Sequence, residues 1–365
     1  MTSGFVDWRR MLTEHQKRIH SLSDCGLHLV WCLRGHRSPI TVLRCRGSTL
    51  VSASDDRTLR VWDLLSGQCT KVIQAACCSD LQYDDNVIVA SFYSSEAASW
   101  SMESGDRIQM YKGHTSAVLS IDFNYAADLV VTGSADVTVM LWKLHEGVCL
   151  RVLEGHLHWV HQVVLKHTSV NSDVHKTGDL VLLTSDQISL KVWSSHVVED
   201  GRCTKTMTLN GGNRFSSKGP LMFDGWTVTC PLQDKMSLVQ IPFSSLQINR
   251  PVQLPSHLAG TCIVMAAGTS LALVCSGGYS KHLNIVNIPL MKQVGSVSWD
   301  SEYFLAEYSW CLTSLSGRDP VWLDGASGNV LGQQDKDTCC GVQLIFADHM
   351  QQIHVLRTSR MVDGQ

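Results

Sequence analysis

A recurrence limits what this chain can fold into more than any other feature. Gly-His occurs at Gly35-His36, Gly113-His114 and Gly155-His156, and each His is followed four residues later by a β-branched residue: Ile40, Val118 or Val160. The first two copies lie 78 residues apart, two spans of 39, and the next interval is 42. A fixed period near 40 residues marks one supersecondary unit used again and again; such units bury their apolar faces only by stacking on one another. After each Gly-His come a β-rich run, a polar turn and a second run ending at Trp: Leu50–Asp63, Leu129–Lys143 and Leu180–Trp193. Asp to Trp spans six residues in the first two (Asp56 to Trp62, Asp136 to Trp142) and seven in the last, Asp186 to Trp193. Alternating apolar residues bounded by turn signals read as antiparallel strands.

These residues resemble the WD40 repeat, whose signature is Gly-His, an Asp-bearing tight turn and Trp-Asp. The resemblance implies an all-β propeller in which each unit contributes a four-stranded blade. It also implies a hydrogen-bonded tetrad per good blade: His36–Ser52–Asp56–Trp62, His114–Thr132–Asp136–Trp142 and His156–Thr184–Asp186–Trp193. Each polar group then has a buried partner. The role is structural, so Ser, His and Asp recurring once per repeat are not read as a catalytic triad. The second unit, about Ala75 to Lys112, keeps the strand rhythm and Trp100 but lacks Gly-His and the turn Asp. Later the signature fades while the rhythm continues. Leu221–Cys230 with Ser237–Pro242 suggests a fifth blade, and Cys262–Cys275 with His282–Ile288 a sixth. Phe304–Leu312 with Leu344–Ala347 and Ile353–Leu356 suggests a seventh, interrupted by a surface loop over Ser314 to Cys340. The strand His28–Leu33 completes that last blade and closes the ring. Seven blades is the expected count, with eight the alternative. The expected layout is a helical segment over 1–25, the propeller over 26–359 and a tail over 360–365.

Formal net charge is −3, from 30 Lys+Arg against 33 Asp+Glu. No overall field draws such a chain to nucleic acid or an anionic membrane, so neither is expected as a partner. No Asp, Glu, Lys or Arg occurs between Arg250 and Lys281, long enough for a membrane span. Prolines and glycines break that run into Cys262–Ala266 and Leu271–Cys275, which read as a buried hairpin turning at residues 267–270. The first ten residues lack the apolar run of a secretory signal, so a cytoplasmic location is expected, the nucleus being the alternative. The 14 cysteines then read as free thiols. No spacing of Cys, His or carboxylates suggests a metal site, a cofactor or an active site, so the chain is read as a non-enzyme.

Residues 5 to 22 form the one strong helix pattern: Trp8, Met11, Leu12, His15, Ile19 and Leu22 share a face, with Arg9, Arg10, Lys17 and Arg18 largely off it. It reads as an amphipathic helix packed under the propeller; binding to a membrane surface or nucleic acid is the other reading, for which four positive charges are few. A helix rich in Trp, Arg and Lys just before the first WD40 unit resembles the linker of F-box/WD-repeat proteins. That resemblance implies a substrate receptor of an SCF (Skp1–cullin–F-box) ubiquitin ligase, with a protein substrate on a propeller face. An F-box needs about forty residues, and only some two dozen precede the propeller, so Skp1 and cullin are expected only if an F-box is supplied elsewhere. A scaffold or competitor without ligase coupling is the alternative. The first blade is the most basic, with Arg34, Arg37, Arg44, Arg46, Arg57 and Arg60. Arg57, in the strand-joining turn, and Arg60 are the candidate partner contacts. The matching turns carry Val137 and Gln187, so no ring of cations converges on the axis.

Overall fold

The structure, a computed structural model, describes residues 27–167, 180–193, 196–209, 212–216, 221–223, 227–234 and 237–243, single positions at 245, 247, 351 and 352, and the strands between 252 and 358 named below. The helix expected over 5–22 and the loop over Ser314 to Cys340 lie outside the described residues, except for Ser314 itself.

The described strands form seven four-stranded antiparallel sheets. After β1 (Leu27–Leu33), blade one holds β2 (Ile40–Arg46), β3 (Thr49–Ser54), β4 (Thr58–Asp63) and β5 (Gln68–Gln74). Blade two holds β6 (Cys78–Tyr83), β7 (Val87–Phe92), β8 (Glu96–Ser101) and β9 (Arg107–Lys112), and blade three β10 (Val118–Asn124), β11 (Leu129–Ser134), β12 (Val139–Lys143) and β13 (Cys149–Leu153). Blade four has β14 (Gln162–His167), β15 (Leu180–Ser185), β16 (Ser189–Trp193), a single helical turn α1 (Val197–Asp200) and β17 (Cys203–Thr208). Blade five has β18 (Met222–Phe223), β19 (Thr227–Pro231), β20 (Ser237–Pro242) and β21 (Val252–Gln253). Blade six has β22 (Thr261–Met265), β23 (Leu271–Ser276), β24 (His282–Asn287) and β25 (Lys292–Ser298). In blade seven, β26 (Leu305–Ser314), β27 (Val342–Asp348) and β28 (Ile353–Thr358) are completed by β1, paired antiparallel to β28. The first described strand thus shares a sheet with the last described one. β22 and β23 pair as a hairpin, with Met265 opposite Ala272, so the uncharged stretch is strand-turn-strand. Among the described residues no helix is long and apolar enough to cross a membrane.

Where side chains are described, the sheets of blades one to four are apolar on both faces. All six residues of β7, Val87 to Phe92, are buried. Successive side chains point to opposite faces, so alternate residues serve different neighbours. Ile88 and Ala90 pack with Val42, Val51, Leu59 and Val61 of blade one. Val87 and Val89 pack with Ile121, Val130 and Trp142 of blade three. Fully burying a Val or Ile contributes about 1.5–3 kcal/mol, so stacking supplies what one isolated blade lacks. Eight cysteines whose side chains are described are free thiols, with Cys78 and Cys230 in the core; burial pushes the Cys230 thiol up to about 12.

A register shift recurs where β4, β8, β12 and β16 meet their outer strands, just before Trp62, Trp100, Trp142 and Trp193. Blade six has the same shift before Val286. The backbone feature therefore persists where the Trp is gone, which is why the strand rhythm outlasts the signature.

Candidate partner-binding mouth

Three blades share one polar construction. In blade one His36 Nδ1 lies 2.8 Å from Asp56 Oδ2 and Nε2 lies 2.7 Å from Ser52 Oγ, while Trp62 Nε1 donates to the same Ser52 oxygen at 2.9 Å. Blade three repeats this through His114, Asp136, Thr132 and Trp142, at 2.8 Å for all three bonds. Blade four joins His156 to Asp186 at 2.8 Å and to Thr184 at 2.7 Å, with Trp193 on Thr184 at 2.8 Å. The structure thus brings together all four residues of each set. One proton arrangement fills every partner: indole N–H to hydroxyl oxygen, hydroxyl O–H to Nε2, and Nδ1–H to carboxylate. Ser52, His36 and Asp56 have the order of a hydrolytic relay, yet Ser52 is fully buried and its oxygen already holds the indole.

The Asp at the far end ties the turn down. Asp56 accepts from the backbone N–H groups of Arg37 and Thr58 and from the Thr58 hydroxyl, besides His36. Burial alone would raise this carboxyl; the hydrogen bonds from Thr58, Arg37 and His36 outweigh it and hold it at about 2. Asp136, bonded in the same way, and Asp186 are likewise held low. Desolvation pulls His36 and His114 below the usual imidazole value despite their carboxylate partners, consistent with neutral rings. In blade four the Asp stands two residues after Thr184, against four in the other two sets. The hairpin is one residue tighter, and Asp186 takes the N–H groups of Ile188 and Ser189 at 2.8 and 2.6 Å. The carboxylate still meets its imidazole, because a shorter turn brings it back over the blade.

Since each His–Asp bond joins a Gly-His loop to a β-turn, both sit at the same end of the blade and form one mouth. The loops of blades three and four are also fastened to the preceding blade. Val118 N–H donates to Ser94 O and Val160 N–H to Ser134 O, both at 3.0 Å. On this frame Arg57 is exposed, at φ 64°, with its own N–H bonded to Ser54 O and its carbonyl accepting from Ala75 N–H. Val137 occupies the same left-handed position at φ 63°, costly for a β-branched residue and evidence of how firmly the turn is held. Arg60 is placed differently. It is half-buried in β4, and its guanidinium lies over Gly35, where an added Cβ would sit 2.5 Å from Nη1. Arg34 and Arg37 are exposed beside Arg57 at the mouth, whereas Arg46 ends β2 at the opposite end.

Arg44 serves the inner wall. Its Nη2 meets Asp80 Oδ1 at 2.6 Å, and Asp80 Oδ2 accepts from Ser120 Oγ at 3.0 Å and Ile121 N–H at 3.2 Å. Ser120 Oγ then accepts Val163 N–H at 3.2 Å, and Asp122 Oδ2 accepts Leu165 N–H at 2.8 Å. One polar chain therefore crosses the inner strands of blades one to four. Asp122 is buried, and desolvation raises its carboxyl. Sequence reasoning missed this chain. It also missed Leu157 and Trp159, which a comparison of the three Gly-His loops would have found: Arg-Ser-Pro, Thr-Ser-Ala and Leu-His-Trp follow the three histidines. Among the described residues no group of three or more His, Cys, Asp and Glu is placed to hold a metal ion.

The model of the WD domain, G-beta repeat family matches residues 9–63 and 105–143. The chain is 30% identical over 326 residues to human F-box/WD repeat-containing protein 2, covering 89% of this chain and 69% of that protein. The mouse protein of that name is 31% identical over 274 residues, 75% of this chain and 64% of it. Nuclear distribution protein PAC1-2 of Uncinocarpus reesii is 28% identical over 187 residues, 44% of this chain and 38% of that one. The chain thus spans about two thirds of the length of these F-box/WD relatives.

Proposed function

The chain belongs to the F-box/WD-repeat family of WD40 proteins, and on that premise we propose that its mouth captures a protein substrate for ubiquitination, as the recognition arm of an SCF ligase. Propellers of the WD40 family bind proteins and are in general non-enzymatic. The observation that carries the reading is the loop frame at that mouth. Its turns are pinned by ionised, fully bonded aspartates, so side chains such as Arg57 are held out at little ordering cost. Arg57 and the half-buried Arg60 are the proposed contacts, and a planar guanidinium suits a carboxylate or phosphate on the partner. Skp1 and cullin join only through an F-box, which the reading leaves to be supplied outside the propeller. A scaffold without ligase coupling is the second reading, favoured by the likeness to a nuclear distribution protein.

Proximity labelling from the intact protein in cells, with and without proteasome inhibition, tests the reading. The expected result is a set of neighbours that accumulates under inhibition together with Skp1 and a cullin, and that shrinks on charge reversal at Arg57 and Arg60. Neighbours indifferent to inhibition, without Skp1, support the scaffold. Capture unchanged by charge reversal removes both arginines from the interface.

A further inference from the structure

The loop that opens blade four departs from its two counterparts in one respect. Arg37-Ser38-Pro39 and Thr115-Ser116-Ala117 put polar or small residues into water after the tetrad His, as solvent demands. Leu157-His158-Trp159 puts a Leu and a Trp there, 85% and 56% exposed. Neither side chain is needed by the blade, whose core is closed by Val160, Val163 and Leu165. Nor is the loop slack. Its backbone is fixed by Val160 N–H on Ser134 O and His161 N–H on Ser185 O, both 3.0 Å, and the Trp159 ring stands edge-on to His161 with centroids 6.3 Å apart. A rigid exposed aromatic in the mouth of a ring is the kind of group that carries binding energy in protein interfaces.

The charges on the facing side say what accompanies the apolar contact. Blades one and four stand three steps apart in a ring of seven, across the axis from each other. At the mouth of blade one Arg34, Arg37 and Arg57 are exposed against one exposed carboxylate, Asp55, since Asp56 is consumed by its turn. This local excess of positive charge sits on a chain whose net charge is −3. We propose that Leu157 and Trp159 are the apolar anchor of the mouth. Its occupant is an extended protein segment carrying one bulky apolar side chain together with Asp or Glu residues that reach the arginines of blade one. The inference rests on the protein-binding reading above and names the chemistry of that partner.

The test uses a displayed library of random 16-residue peptides, selected on the full chain, on Leu157→Thr/Trp159→Ala, and on Arg37→Glu/Arg57→Glu. The first double variant reproduces the residues of the Thr115-Ser116-Ala117 loop at those two positions, so the backbone is already known to accept them. Unchanged far-UV circular dichroism and melting confirm folding before selection. The expected result is enrichment of peptides pairing Leu, Phe or Trp with several acidic residues. A chosen peptide should lose at least tenfold in affinity on either double variant, measured by fluorescence polarisation. Enriched peptides without an apolar residue, or undiminished binding to the Leu157/Trp159 variant, overturn the anchor. If such peptides still fail on the arginine variant, the protein-binding mouth stands without it. No enrichment on the unaltered chain removes both readings.

Discussion

Thr132→Val isolates the tetrad from everything else in blade three. The substitution keeps the shape of the side chain and removes only its hydroxyl, at a position with no solvent exposure. Two buried groups lose their partner at once: the Trp142 indole N–H, 2.8 Å away, and His114 Nε2, also 2.8 Å away. An unpaired buried donor or acceptor costs about 1–3 kcal/mol, so the variant should lose about 2–6 kcal/mol. Adding Trp142→Phe removes one of the two orphans as well as its bond. The double variant should then be more stable than the two single losses summed, by about 1–2 kcal/mol. Urea unfolding followed by far-UV circular dichroism reads all four corners of this cycle without relying on Trp fluorescence. A single-variant loss below about 0.5 kcal/mol, or a strictly additive cycle, would refute the claim that the four residues act as one network.

Acidification from neutral pH should weaken the fold through its lowered imidazoles. His36 and His114 sit below the value of 6.5, so these two rings hold fewer protons in the folded chain than in the unfolded one below that pH. Their contribution is complete above pH 6.5 and falls away as pH drops towards their lowered folded values. Each imidazole adds a slope of up to about 1.4 kcal/mol per pH unit; a urea midpoint that is flat or rises from pH 7 to 5.5 would contradict it. Gly67→Ala forces a Cβ at φ 70° to within 2.6–2.8 Å of three Trp31 ring carbons, so a loss of about 2 kcal/mol or more is expected. Gly47→Ala, at φ 58° with open space around it, should lose only about 1 kcal/mol, and equal losses would show that the Trp31 contact is loose. Asp80→Ala strips partners from Arg44, Ser120 and Ile121 and should cost about 2–4 kcal/mol. Amide exchange should then speed up first in β6 and β10, and uniform acceleration over all described blades would refute the idea that this carboxylate joins particular neighbours.

What was legible in the sequence and what was not follow from the range of the interactions. A tetrad writes itself into local spacing, because Thr132, Asp136 and Trp142 lie on one hairpin and the imidazole is fixed by the preceding Gly. The seven-blade count and the closure by β1 were readable for a related reason. Strands with both faces buried, such as β7, are apolar throughout, and the strand rhythm of β24, with its register shift before Val286, persists where the signature Trp does not. Arg60 was legible as a charge but not as a position. Only the register against Ser52 and the missing Cβ at Gly35, over which the guanidinium lies, fix where its head sits. The inner-wall chain from Arg44 to Val163 left no signal at all, since nothing in a single strand states which blade its polar residues will face.

Blade two shows why that inner chain matters. It lacks the tetrad: Ala90 and Ala98 stand opposite each other where blade one pairs Ser52 with Arg60, and Phe92 packs edge-on against Trp100 with centroids 6.2 Å apart. An apolar replacement leaves no orphan donor among these residues, so the blade loses hydrogen bonds without incurring the cost of unpaired ones. What it gives up is the carboxylate that pins a turn to a loop. Asp80 supplies the missing fastening from another direction, bonding blade two to Arg44 on one side and to Ser120 and Ile121 on the other. Blades one, three and four carry their own His–Asp ties at the mouth, whereas blade two is held there by bonds from blade three, such as Val118 N–H on Ser94 O, and along the channel wall by Asp80. The mouth is therefore pinned from within each blade beside Arg57, Val137 and Trp159, where a bound segment would need a surface that does not yield.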